Sequence, residues 1–125
     1  MKLTVCAAQM EIETLNIEKN LAKAKEFAKE AAEREGCHFL CYPELFLTGP
    51  LGRDNSGLFQ TIPGPFTDLF CGLAAEYGIH IIAGSIVEVN DGNIYNTSVL
   101  IDDSGKILGK YRKNHLWCGE KTFNT

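Results

Sequence analysis

The stretch CHFLCYPE, residues 37–44, is a short apolar run that ends in proline and glutamate. Runs of this length are typical of buried strands, and Pro43 ends the strand because proline cannot extend a ladder inside a sheet. The run at residues 3–9 has the same character and predicts another buried strand.

A helix is predicted between these two strands, over residues 16–35. Its small and apolar residues recur at spacings of three and four while lysine and glutamate occupy the other faces, which indicates an amphipathic helix. Asn16 is suited to cap the first turn, and Gly36 is suited to end the helix. Two strands joined by a helix pair in parallel, so the pattern predicts an α/β fold.

The second half of the chain predicts one more helix and three more strands. A loop rich in glycine and proline covers residues 44–65, and loops of that length inside a compact domain are usually functional or disordered. A helix over 66–77 follows and ends at Gly78. Three strands connected by tight turns complete the pattern, at 79–87, 95–101 and 107–111. Because hairpins pair antiparallel, we expect one domain with a mixed sheet.

Composition and charge argue against several classes of partner. The 125 residues are 45% hydrophobic and 22% charged with a formal net charge of -4, and they lack the clustered basic face of nucleic-acid binders. No apolar run reaches the roughly 18 residues of a membrane span, and residues 3–9 are too short for a signal peptide. We therefore expect a cytoplasmic protein with no nucleic-acid or membrane partner.

The cysteines and histidines do not predict a metal site. The five cysteines are odd in number and lack the spacing of a disulfide scaffold, which favours free thiols. Cys37 and Cys41 are interpreted as small core hydrophobes, and the three histidines lie far apart in sequence. We expect neither a metal nor another cofactor.

Glu44 is the first candidate for chemistry because it directly follows a predicted strand. Ligands and catalytic groups of open α/β sheets gather at the carboxyl ends of strands. Burial among the apolar residues 45–47 would suit this carboxylate to general-base work. The alternatives are a surface glutamate or one that caps backbone N–H groups at the start of the loop.

Lys113 and Glu120 lie near the end of the last predicted strand. A lysine held there can stabilise a developing oxyanion, whereas three basic residues within positions 110–113 also suit a solvated sheet edge. Glu120, taken alone, is an exposed loop glutamate.

Two motifs, taken together, resemble a known family. YPELFLTG at 42–49 resembles the segment around the first glutamate of the nitrilase superfamily, and GKYRKNHL at 109–116 resembles its lysine motif. The first predicted strand and the segments at 63–65, 82–85 and 95–97 also resemble segments of that family in corresponding positions, so the similarity extends over essentially the whole chain.

The resemblance implies a four-layer α-β-β-α sandwich, commonly paired into homodimers or higher oligomers. Its members hydrolyse carbon–nitrogen bonds of small amides, nitriles or carbamoyl compounds without a metal. By motif, Glu44 corresponds to the general base and Lys113 to the lysine that stabilises the tetrahedral intermediate. Glu120 corresponds to a second glutamate that helps to hold the site in register.

The chain departs from the family pattern at the nucleophile. The family's cysteine lies well downstream of the lysine, at the end of a further strand, whereas this sequence stops at Thr125. We therefore expect residues 1–125 to be an incomplete carbon–nitrogen hydrolase domain, inactive by itself and exposing apolar sheet surface. Two alternatives stay open: a non-catalytic binding or interaction module that keeps the first half of the fold, and a hydrolase that uses Cys118 instead.

Overall fold

The computed structural model describes residues 1–34 and 36–120, which form a six-stranded sheet with two α-helices. In chain order the elements are β1 (Val5–Ala7), α1 (Ile17–Glu33), β2 (Phe39–Cys41), α2 (Pro65–Tyr77), β3 (His80–Ile82), β4 (Ile86–Asn90), β5 (Asn93–Ile101) and β6 (Ile107–Arg112). No helix in the described ranges is long and apolar enough to span a bilayer.

The sheet is mixed, which confirms the sequence prediction. Its order is β1-β2-β3-β5-β4, and β6 also pairs with β5. Strands β1, β2 and β3 run parallel, whereas β3, β4 and β6 are each antiparallel to β5. Helices α1 and α2 supply the crossovers that parallel neighbours require, and the antiparallel strands are joined by short turns.

Helix α1 begins where its capping residue predicts. The side chain of Asn16 accepts a hydrogen bond from the main-chain N–H of Lys19. One turn later Asn20 is fully buried, and its amide donates to the carbonyl oxygens of Glu13 and Leu47 at 2.7 and 2.9 Å. The helix therefore fastens the loop that follows β2. Position 35, the last of the predicted helix, lies outside the described residues.

Both helices pack on one face of the sheet. The strand register aligns Cys6, Leu40, Ile81 and Ile101 in a row, and Leu40, Ile81 and Ile101 are buried in the core. This is the helix face. Side chains alternate along a strand, so the neighbouring row that contains Val5 belongs to the opposite, open face. The predicted first strand over 3–9 is confirmed only as the three-residue β1, and its predicted burial is wrong because β1 is an edge strand in which Val5 is 59% exposed.

The predicted continuous strand over 79–87 is also wrong. The chain leaves the sheet between β3 and β4, so four strands rather than three follow α2. Gly84 lies in this break with φ +26°, and a Cβ atom there would overlap the carbonyl oxygen of Pro43. The close approach of two backbones forces the break, which an apolar sequence pattern does not reveal. The predicted loop at 44–65 contains a short 3-10 helix, Arg53–Leu58.

Candidate active site

Glu44 is held between two buried aromatic residues at the carboxyl end of β2. The hydroxyl of Tyr42 donates to the carbonyl oxygen of Ala24 at 2.6 Å, which ties the segment to α1. The rings of Tyr42 and Phe46 stack with their centroids 4.7 Å apart. Anchoring on both sides fixes the position at which the Glu44 side chain leaves the backbone.

The turn after Glu44 stores backbone strain. Leu45 has φ +50°, a left-handed conformation that is costly for a residue with a side chain. Its main-chain N–H donates to the hydroxyl of Ser85 at 3.1 Å, and the carbonyl of Pro43 lies against Gly84. The break between β3 and β4 thus supports the turn that carries Glu44.

Lys113 and Glu120 come from the far end of β6 and the turn after it. The main-chain N–H of Lys113 donates to the carbonyl oxygen of Asn96 at 2.9 Å, which holds it beside β5. Glu120 closes a turn with Trp117: its N–H donates to the carbonyl of Trp117, and its Oε2 accepts the Trp117 N–H at 2.8 Å.

The ammonium of Lys113 lies between two carboxylates. Its Nζ donates to Oε1 of Glu44 and to Oε2 of Glu120, both at 2.9 Å. These two partners, Glu44 foremost, raise the pKa of Lys113 and so keep it charged. The structure therefore brings the three residues singled out by motif into direct contact, while their catalytic roles stay predictions.

The surroundings of these side chains differ from the sequence expectation in two respects. The Glu44 side chain is 58% exposed, and Phe46 and Leu47 are buried in the core instead of enclosing it. Glu120 is not an exposed loop glutamate, since its side chain is only 12% exposed. The second carboxylate, rather than the first, is thus the more enclosed of the pair.

Asn96 completes the cluster and was not identified as a site residue from the sequence. Its Nδ2 donates to Oε1 of Glu44 at 2.8 Å and to Oε1 of Glu120 at 2.6 Å. Burial raises the pKa of Glu120, but the donors of Asn96, Lys113 and the Trp117 N–H outweigh burial and hold that pKa below its ordinary value. The signal in the sequence is a polar residue in the interior of an otherwise apolar strand.

A cavity of about 300 Å³ adjoins the cluster on the open face. Apart from Glu44, Lys113, Glu120 and Asn96, its walls are formed mainly by apolar side chains from four segments: Leu45, Pro50, Leu51, Val87, Ile94, Leu116 and Trp117. Cys118 is exposed and does not line this cavity. Within residues 1–34 and 36–120, no group of three or more His, Cys, Asp or Glu side chains could hold a metal ion.

The helix face behind Lys113 carries a separate charged cluster. Glu88 of β4 is fully buried and accepts hydrogen bonds from Lys110 and Arg112 of β6 and from Thr97 of β5. Burial opposes ionisation, yet these donors lower the pKa of Glu88 to about 2. These hydrogen bonds link β4, β5 and β6 at Arg112, the residue directly before Lys113.

Sequence comparisons place the chain among known enzymes. The carbon-nitrogen hydrolase family model matches residues 4–125. A nitrilase from Pyrococcus abyssi is 36% identical over 124 residues, which are 95% of this chain and 46% of that protein. Omega-amidase NIT2-B of Xenopus laevis is 39% identical over 99 residues, which are 78% of this chain and 35% of that protein. The chain thus spans less than half the length of these curated relatives.

Solved structures share the fold. Nit3 of Saccharomyces cerevisiae, a member of branch 10 of the nitrilase superfamily, superposes with a TM-score of 0.81 at 26% identity. The superposition covers 98% of this chain and 48% of the Nit3 chain. A crystal structure of an N-terminal amidase superposes with a TM-score of 0.84 at 17% identity, over 96% of this chain and 30% of the amidase chain. The mixed sheet with its two helices is accordingly part of the nitrilase fold, and the chain belongs to the carbon-nitrogen hydrolase family of the nitrilase superfamily.

Proposed function

We propose that this chain supplies the general base and the oxyanion-stabilising lysine of an enzyme that hydrolyses a small amide through a thioester. The observation that carries the proposal is the ammonium of Lys113, which lies between Glu44 and Glu120 at the wall of an open cavity. Nitriles and carbamoyl compounds are the other substrate types within the family's chemistry. Amides are favoured because relatives in both comparisons are named amidases.

In this mechanism Glu44 moves protons. It takes the proton of a cysteine thiol as the sulfur attacks the substrate carbonyl carbon. When the carbon–nitrogen bond breaks, Glu44 returns a proton to the leaving ammonia or amine. Water then attacks the thioester with Glu44 again as base, which releases the carboxylic acid and restores the thiol. The exposed side of Glu44 is where both the thiol and the water must approach.

Lys113 stabilises negative charge in this mechanism and transfers no proton. The substrate oxygen gains negative charge as the tetrahedral intermediate forms, and an ammonium aimed at it lowers the barrier. Lys113 suits this role because its two carboxylate partners keep it protonated and fix its direction. Glu120 holds Lys113 from the more buried side and leaves Glu44 free to exchange protons.

The nucleophile is proposed to lie in a segment that follows Thr125. Neither the cavity described above nor the smaller one beside Tyr42 and Ser98 is lined by a cysteine of the described ranges. The complete enzyme would then be active and the 125-residue chain inactive by itself.

Pairing of complete domains into homodimers is part of the same proposal, and analytical ultracentrifugation of the full-length protein tests it.

The test measures ammonia release from a panel of small primary amides by the full-length protein. Glu44→Gln should nearly abolish turnover, whereas the exposed control Glu33→Gln and the Cys118→Ser variant should retain it. Normal activity of the Glu44→Gln enzyme would refute the assigned base. Loss of activity in Cys118→Ser alone would transfer the nucleophile to Cys118. A full-length protein that binds amides without turnover would establish the binding-module alternative.

A further inference from the structure

The atoms of Asn96 contact all three members of the proposed catalytic cluster. Its main-chain carbonyl accepts the N–H of Lys113 at 2.9 Å. Its side-chain amide donates to Glu44 and Glu120 at 2.8 and 2.6 Å. The residue is only 8% exposed and lies on the open face of β5. It stands between the ends of β2 and β6, after which Glu44 and Lys113 follow.

The amide nitrogen of Asn96 has two hydrogens and no acceptor site, so each carboxylate oxygen that it contacts must present a lone pair. Oε1 of Glu44 accepts both from Asn96 and from Nζ of Lys113. Two donors use the two lone pairs of that oxygen. A proton delivered to Glu44 therefore has to enter at Oε2.

We propose that Asn96 is a positioning residue of the hydrolase: it directs proton transfer to Oε2 of Glu44 and holds the two carboxylates in place around Lys113. This inference rests on the proposed function and adds a group to it. Asn96 itself transfers no proton and touches no substrate atom. It acts through the two glutamates: its amide binds Oε1 of each, and Lys113 binds the same oxygen of Glu44 but Oε2 of Glu120.

Asn96 takes part in strand pairing through its main-chain atoms, whereas its contacts with the glutamates use the side-chain amide. Asn96 is paired with Val87 across the β4–β5 ladder, and its link to Lys113 is through the main-chain carbonyl. Replacing the side chain leaves these main-chain bonds available. The substitution then removes only the two hydrogen bonds that the side chain donates to Glu44 and Glu120.

The decisive measurement is the pH profile of kcat/KM for the full-length enzyme with a primary amide. In Asn96→Ala, kcat should fall about 100-fold with a smaller change in KM, because misplaced catalytic groups cost about that much. The acid limb of the profile should also move to higher pH, because the Asn96 donor helps to lower the pKa of Glu120 and its removal lets that pKa rise. The titratable groups of the cluster and of the cavities beside it are Glu44, Lys113, Glu120, Tyr95, Tyr111 and Tyr42, and the hydroxyl of Tyr42 is turned toward α1.

Two further variants keep the test decisive. Asn93→Ala, an exposed residue of the same strand, should match the wild type in both limbs. Asn96→Asp keeps the side-chain shape but adds a third carboxylate, so its acid limb should move further than that of Asn96→Ala. An unshifted acid limb in a folded Asn96 variant overturns the inference, as does an equal loss of activity at every pH. If Glu44→Gln is fully active as well, the proposed function has failed and not only the role of Asn96.

Discussion

The ammonium of Lys113 lies 2.9 Å from Oε1 of Glu44, although 69 positions separate the two residues in sequence. The contact forms because β2 and β6 both end at the same region of the open face, one on each side of the β3–β5 pair. Strand order, rather than proximity in sequence, assembles the site.

Lys113 is expected to be required for turnover. Removing a preorganised group that stabilises an oxyanion costs on the order of 100- to 1,000-fold in kcat, so Lys113→Ala in the full-length enzyme should lose at least that much. Lys29→Ala, at an exposed position on α1, should not change activity. Single-turnover and steady-state assays with a primary amide measure both variants, and a Lys113→Ala enzyme within tenfold of wild type would contradict the assignment.

The alkaline limb of activity should respond to Glu120. Glu44 and Glu120 raise the pKa of Lys113 above its ordinary 10.5, so the ammonium persists further into alkaline pH. Glu120→Gln removes one of these carboxylates, and the alkaline loss of kcat/KM should then begin at lower pH. A pH–rate profile measures the shift, and identical alkaline limbs would show that Lys113 does not control that side of the profile.

Glu88 is expected to contribute strongly to stability. The substitution Glu88→Gln weakens its hydrogen bonds to Lys110 and Arg112, which are about a third exposed and can be hydrated, so it should lower the free energy of unfolding by about 1–3 kcal/mol. Glu33→Gln, an exposed helix position, should cost less than about 0.5 kcal/mol. Urea titration of both variants against wild type measures the difference, and equal midpoints would show that Glu88 does not stabilise the fold.

The Glu88 contribution should also depend on pH in a defined direction. Its pKa is lowered from 4.5 to about 2, so ionised Glu88 stabilises the folded state fully above pH 4.5. That contribution is lost as pH falls from 4.5 toward 2. The stability difference between wild type and Glu88→Gln should therefore shrink over this range, whereas a difference that grows on acidification would reverse the assigned sign.

Gly84 is expected to be intolerant of a side chain. Alanine there would overlap the carbonyl oxygen of Pro43 and would displace the turn that carries Glu44. Gly84→Ala should lower both the melting temperature and kcat, while Gly72→Ala on α2, where an added Cβ meets nothing within 4 Å, should be neutral or stabilising. Thermal unfolding and amide turnover of the two variants provide the comparison.

Asn20 should be needed to hold the loop after β2. Asn20→Ala leaves the buried carbonyl of Leu47 without its donor, and an unsatisfied buried group costs about 1–3 kcal/mol. Chemical denaturation measures this cost against Asn93→Ala, which removes only an exposed hydrogen bond. Equal stabilities would show that the loop is held by other contacts.

The sequence predicts the parts of this protein that depend on local pattern. The spacing of apolar residues predicts α1, and the asparagine before it predicts its start. The two motifs single out Glu44, Lys113 and Glu120, which the structure brings into contact. It does not predict the break at Gly84, because an apolar run gives no sign of a second backbone passing against it. It does not identify Asn96 either, since an asparagine within a strand acquires its role only from carboxylates that approach from distant segments.

Arg112 and Lys113 are adjacent cations that serve opposite sides of the sheet, the first bound to Glu88 and the second to Glu44 and Glu120. A slip of β6 by one residue against β5 would exchange them, because such a slip turns every side chain to the other side. A guanidinium would then meet Glu44 and Glu120, and an ammonium would meet the fully buried Glu88. Charges would still be neutralised, yet a guanidinium would replace the ammonium that is proposed to meet the substrate, so the register of β6 against β5 is a condition for the proposed activity.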